Sequence, residues 1–206
     1  AAKVRIEPRK KQGQKSEEQE DWCDMKVLCW FKTENVPPRQ RSMRQRKKME
    51  RELMVQCAKD LRYFCEITEA HEFGRLLWAT GCDFNADSRS ELIFLGDGAV
   101  WIWNLVSQYF PKAIQIVDWY HAEEHLEIIA KAVFSHDPQR STWLEEVKQA
   151  LWEGEVEQVI SACETLAHSC DLARKAAQYF SINSERMRYG QFREAGYVIG
   201  SGTVES

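Results

Sequence analysis

The sequence predicts an α/β fold: strands with flanking helices, followed by an all-helical stretch. Three observations carry this. Residues 90–134 alternate short apolar runs with segments of helical spacing. Two further runs, "MKVLCWFK" (25–32) and "RYFCEIT" (62–68), are rich in β-branched and aromatic residues. Residues 135–195 contain no strand pattern and read as two or three amphipathic helices.

Taken in order, "KVRI" (3–6) alternates as a short strand, and 8–21 is a polar, charged loop. After the strand at 25–32, Pro37-Pro38 breaks the chain. Residues 42–60 read as helical or partly disordered, 62–68 is a strand, and "EAHEFGRLLWATG" (69–81) is a helix stopped at Gly81. In the 90–134 unit, "LIFL" is a buried strand, "GDGA" a turn, "VWIWNLVSQYF" a helix ending before Pro111, "AIQIV" a second buried strand and "WYHAEEHLEIIAKAVF" a second helix. Such a β-turn-α-β-α order requires a parallel pair joined by a crossover. Downstream, Trp143, Leu144, Val147, Leu151 and Trp152 form an apolar stripe that reads as core. "AGYVIGSGTVES" (195–206) reads as a glycine-punctuated loop leading into a helix, with Glu205 in its first turn.

Composition narrows the function classes. The 206 residues are 44% hydrophobic with 8 Trp, enough for a sizeable core. A formal net charge of −4 argues against a purely electrostatic nucleic-acid binder, so any polyanion contact must come from a local patch. One exists in "PRQRSMRQRKKMER" (38–51), where Arg44, Arg46, Lys47, Lys48 and Arg51 are candidates to meet phosphates or to form a solvated helical surface. The seven cysteines show no C-x-x-C spacing and several sit in apolar runs, so they read as reduced, buried thiols of a cytoplasmic protein. No apolar run approaches membrane-spanning length and no signal peptide is visible. The missing initial Met and the abrupt end suggest a fragment cut at both termini.

Two constellations carry chemistry. His121-x-x-Glu124-His125 has the H-x-x-E-H order of inverted zinc peptidases, with two imidazoles one helical turn apart and a Glu to work the water. The other is a set of carboxylates. Asp97 and Asp118 follow the two predicted parallel strands, where active residues of such sheets lie. Both could instead cap the following helices. Acids at neighbouring strand ends can share a cation, and with Glu205 they form a hard, oxygen-rich set suited to Mg²⁺ or Mn²⁺ and to in-line displacement at phosphodiesters. Trp101, Trp103 and Trp119 could stack on an unpaired base, although packing against the sheet is the simpler role.

"GDGAVWIWNLVSQYFPKAIQIVDWYHAEEHL", followed far downstream by "NSERMRYGQFREAGYVIGSGTVES", resembles the transposases of bacterial insertion sequences of the ISKra type. These belong to the DDE group with a ribonuclease-H-like core, related to Mutator and hAT elements. The resemblance runs from about Met25 to Ser206 and is densest over 90–130 and 183–206. It implies a core begun by 1–134, a helical insertion over 135–195, and a return to the core over 196–206 with the catalytic Glu. It implies that Asp97 is the second catalytic carboxylate and Glu205 the third, both holding Mg²⁺ or Mn²⁺. Asp118 and His121 then match the group's C/D-x-x-H motif, which makes the H-x-x-E-H spelling a coincidence. It further implies DNA as substrate, both transposon ends and target, and a homo-oligomer that brings two ends together.

The sequence departs from the family at its first catalytic Asp. That residue belongs in the first strand, expected around "AAKVRI", which holds no Asp; Glu7, Asp21 and Asp24 fall after the strand or in the loop. The expectation is a strand-cutting transposase domain supplied here with two of its three carboxylates. An inactive remnant or domesticated DNA-binding protein is the competing reading, and a zinc hydrolase the third.

Overall fold

Strand β4 (Ile93–Gly96) and strand β5 (Ile114–Val117) are each four residues long and pair in parallel, Ile93 opposite Ile114 through Gly96 opposite Val117. Helix α2 (Val100–Tyr109) connects them and helix α3 (Trp119–Val133) follows β5. This is the predicted crossover unit. A parallel pair is buried on both faces, so its strands are continuous apolar runs rather than alternating ones. Ile116 and Val117 are fully buried, and Phe94 packs on Phe110 with ring centroids 5.3 Å apart.

A computed structural model of the chain describes residues 2–6, 21–36 and 55–201. The chain divides into two compact units, Ala1–Thr33 with Ala58–Ser90, and Glu34–Cys57 with Glu91–Ser206. The first contains a sheet in the order β1 (Ala2–Ile6), β2 (Asp21–Val36), β3 (Val55–Glu66), with β1 antiparallel to β2 and Ala2 opposite Met25. Helix α1 (Ala70–Asp83) buries Phe73, Leu77 and Thr80 on one face, the i, i+4, i+7 stripe of an amphipathic helix. Trp30 of β2 is buried and donates its indole N–H to Thr80 Oγ1 at 2.8 Å, which satisfies a polar group that would otherwise be stranded in the core.

Two expectations for this unit need correction. Residues 55–60, read as part of a helical or partly disordered segment, are strand, because pairing with β2 outweighs the helix preference of Gln, Ala and Lys. Gly81 does not stop α1. It lies buried inside the helix, and the stop is Asn85, in the left-handed region at φ 59°. Ala86 N–H bonds Gly81 O at 2.8 Å and Asn85 N–H bonds Cys82 O at 2.9 Å, the paired bonds of a Schellman cap.

The second unit continues from α3 into helices α4 (Asp137–Glu153), α5 (Val156–Leu166), α6 (Asp171–Ile182), a 3₁₀ turn (Ser184–Met187) and α7 (Tyr189–Glu194). Their core is Leu151, Val156, Val159, Cys163, Phe180 and Met187. Of the predicted stripe on α4, Val147, Leu151 and Trp152 are buried, while Trp143 and Leu144 are half-buried. Lys148 joins α4 to α3 through Glu123 at 2.7 Å and Glu127 at 3.0 Å. Gly154 ends α4 in the left-handed region at φ 81°.

Among the five described cysteines, Cys163 alone is buried. Burial pushes its thiol up to about 12; Cys29, Cys82 and Cys170 are half-buried and Cys65 is exposed. The expected burial of the thiols therefore holds at Cys163 and fails at the other four described cysteines, two on strands, one in α1 and one at the start of α6. Among the described residues, no helix is long and apolar enough to cross a membrane.

Candidate active site at the strand ends

Asp97 leaves β4 in the turn before α2, and its Oδ1 accepts the Ala99 N–H at 2.9 Å. Asp118 leaves β5 and caps α3, its Oδ1 accepting the N–H groups of Tyr120 at 2.9 Å and His121 at 3.1 Å. The Asp118 N–H bonds Gly96 O at 2.8 Å and so ties the two strand ends together. Its Oδ2 accepts the Ser201 N–H at 2.5 Å, from 83 residues downstream. Beside it, the Trp119 N–H bonds Ile199 O at 2.8 Å. The returning chain passes close to α3 at Gly200, where a Cβ would lie 3.0 Å from the Tyr120 ring.

These elements enclose an open cleft of about 470 Å³ lined by Leu95, Gly96, Asp97, Asp118, Tyr120, His121, Glu124 and Ser201. Asp97, Asp118 and His121, singled out in the sequence, thus share one cleft. Their hydrogen bonding separates their roles. Asp118 is buried, with both oxygens committed to backbone N–H groups. Among the described residues, Asp97 Oδ2 accepts no hydrogen bond. Asp118 thus clamps the backbone with both oxygens, whereas Asp97 is tied through one.

The helices after α3 reach this cleft, a feature invisible in the sequence. Tyr179 of α6 donates its hydroxyl to Asp97 O at 2.9 Å. Asn183, just past α6 and buried, donates Nδ2 to Gly98 O at 3.2 Å and accepts the Trp103 indole N–H at Oδ1 at 3.0 Å. Tyr189 of α7, also buried, donates its hydroxyl to Val117 O at 2.9 Å. Burial, reinforced by Asp97 and Asp118, holds the Tyr179 hydroxyl above its ordinary range, so it stays a donor.

His121 and His125 stand edge to face with ring centroids 5.2 Å apart, as i, i+4 spacing on α3 requires. His125 is half-buried and lies 4.1 Å from the Tyr179 ring. Burial holds its imidazole below the ordinary range, and His121 adds to this, against partial opposition from Glu124 and Asp97. Glu124 lies 3.7 Å from His121 and points largely to solvent, with its side chain 66% exposed.

Trp119 is not a base-stacking platform. It is buried, with ring edges of Trp152 and Tyr189 against it at 5.1 Å and 5.2 Å. Trp103 is likewise core, and Trp101 is half-buried. Glu205 and the basic residues Arg44, Arg46, Lys47, Lys48 and Arg51 lie outside the described residues. Among the described residues, no group of three or more His, Cys, Asp or Glu stands ready to hold a metal ion. The carboxylate of Asp97 is a hard oxygen donor, the kind that suits Mg²⁺ or Mn²⁺.

No protein-family model, curated protein or solved structure matches the chain.

Proposed function

We propose that the chain is the catalytic region of a DDE-type transposase of the ISKra kind, with a ribonuclease-H-like core. It would cut DNA at insertion-sequence ends and join the freed 3′-hydroxyl to a target, acting as a homo-oligomer in the bacterial cytoplasm. The observation that supports this most is the stitch between Ser201 and Asp118. It brings the segment that leads into Glu205 to the rim of the cleft that holds Asp97.

On this reading Asp97 and Glu205 hold Mg²⁺ or Mn²⁺. When bound, the metal neutralises charge on the phosphate and lowers the pKa of the attacking water or hydroxyl. The chain's own part is positional. Asp118 binds the start of α3 and the return segment to each other. His121, in the first turn of α3, stands at the cleft where the DNA end would lie. The half-buried His125 packs on Tyr179 and belongs to the support of the site.

The test is cleavage of a labelled transposon-end duplex by the native protein with Mg²⁺ or Mn²⁺. Asp97→Ala and Glu205→Ala are expected to reduce cutting to background, while His125→Ala keeps much of it. Duplex binding without cutting by the wild type would favour the domesticated DNA-binding protein. Zn²⁺ binding lost in both His121→Ala and His125→Ala, with no cutting, would favour the zinc hydrolase.

A further inference from the structure

Two consecutive peptides of the Asp97 turn are held from α6 and the residue after it. Tyr179 O–H bonds the carbonyl of Asp97, and Asn183 Nδ2 bonds the carbonyl of Gly98. Gly98 sits at φ 90°, a conformation that leaves its carbonyl free to turn toward Asn183. A Cβ there would lie 2.5 Å from the Tyr179 ring, so the aromatic side chain is packed directly on the turn. Asn183 also bonds Tyr179 O at 3.1 Å and receives the Trp103 N–H, which leaves its buried amide fully occupied. Asp97 itself has one local tie, from Oδ1 to Ala99 N–H. The turn is therefore held by residues some eighty positions away as well as by its own glycine and its Asp97–Ala99 bond.

We propose that Tyr179 and Asn183 are positioning residues for the Asp97 carboxylate, so that the helical segment is part of the metal-binding apparatus. This rests on the reading of Asp97 as a metal ligand. A ligand carboxylate must be held to within a fraction of an ångström of its working place, and groups behind ligands commonly carry about 10–100-fold in metal affinity or activity. Tyr179 suits this task because its ring packs directly on Gly98 while its hydroxyl reaches the Asp97 carbonyl.

Tyr179→Phe keeps the ring and removes one hydroxyl, and Asn183→Asp keeps the shape and removes the amide donor. Mn²⁺ alone, titrated into the full chain and followed by electron paramagnetic resonance, is the probe. Tyr179→Phe should raise the half-saturating Mn²⁺ concentration about tenfold, with the far-ultraviolet circular dichroism unchanged and duplex binding in the absence of metal as in the wild type. Asn183→Asp should raise it at least as much, and Asp97→Ala should remove the site. Saturating Mn²⁺ should restore cutting by Tyr179→Phe but not by Asp97→Ala. Wild-type Mn²⁺ affinity in Tyr179→Phe, with the site lost in Asp97→Ala, would overturn the positioning role and leave the reading of Asp97 intact. Equal Mn²⁺ binding by wild type and Asp97→Ala would overturn both.

Discussion

Asp118 shows how one side chain can replace several weak restraints. Three backbone N–H groups converge on its two oxygens, two from the first turn of α3 and one from Ser201. Hydrogen bonds to a buried charged acceptor stabilise more than neutral ones, about 1.5–3 kcal/mol each. Asp118→Asn has one acceptor oxygen instead of two, so it can cap α3 or hold Ser201 but not both. Its amide would present a donor to a donor. The expected loss is about 1–3 kcal/mol in urea unfolding, with faster amide exchange at residue 201 than in the wild type. An unchanged midpoint and unchanged exchange would mean the clamp carries no stability.

At the scale of elements, the close approach of α4 and α7 is decided by Gly190. A Cβ at that position would lie 2.5 Å from Glu153 O and 3.1 Å from Glu153 C, both backbone atoms that cannot swing away. Gly190→Ala should therefore cost about 1–3 kcal/mol, read as a lowered thermal midpoint. A wild-type midpoint would show that α7 slides without penalty. Elements also differ in how plainly the sequence announces them. The run from β4 to α3 is legible because short apolar strands between Gly and Asp leave few alternatives. The start of β3 is not, because Gln, Ala and Lys suit a helix and pairing with β2 makes residues 55–60 a strand. The end of α1 misleads for a related reason: a glycine advertises a stop, yet the left-handed residue is Asn85. In the cleft, Asp97 and Asp118 are legible from their place after parallel strands. Tyr179, Asn183 and Tyr189 are not, since on an amphipathic helix they look like any other core residues. Nothing in their spacing says that their polar atoms reach backbone carbonyls some eighty positions earlier. Trp119 misleads in the opposite sense: an aromatic beside an acid at a strand end suggests stacking on a base, while its edge-on packing with Trp152 and Tyr189 makes it core.

For the whole molecule, charge sets the terms on which DNA would be met. A net charge of −4 leaves attraction to phosphate to local patches, and the segment 38–51 is the densest basic run in the sequence. If its cations neutralise phosphates, each releases a counterion and adds about 0.9 to the slope of log affinity against log salt. Replacing Arg44, Arg46, Lys47, Lys48 and Arg51 together by Ala should flatten that slope by about 4.5 and weaken binding evenly across sequences. A slope equal to that of the wild type would assign the segment to the solvated surface.

The bond between Ser201 and Asp118 also bears on synthesis. A ribosome adds residues at about 5–20 per second, so roughly 5–20 s separate the making of Asp97 from that of Ser201. Through that interval the cleft has its first acid but neither its aromatic backing from Tyr179 nor its far wall. A nascent chain therefore lacks the finished cleft; it is complete only after the polypeptide has come back to the strand ends.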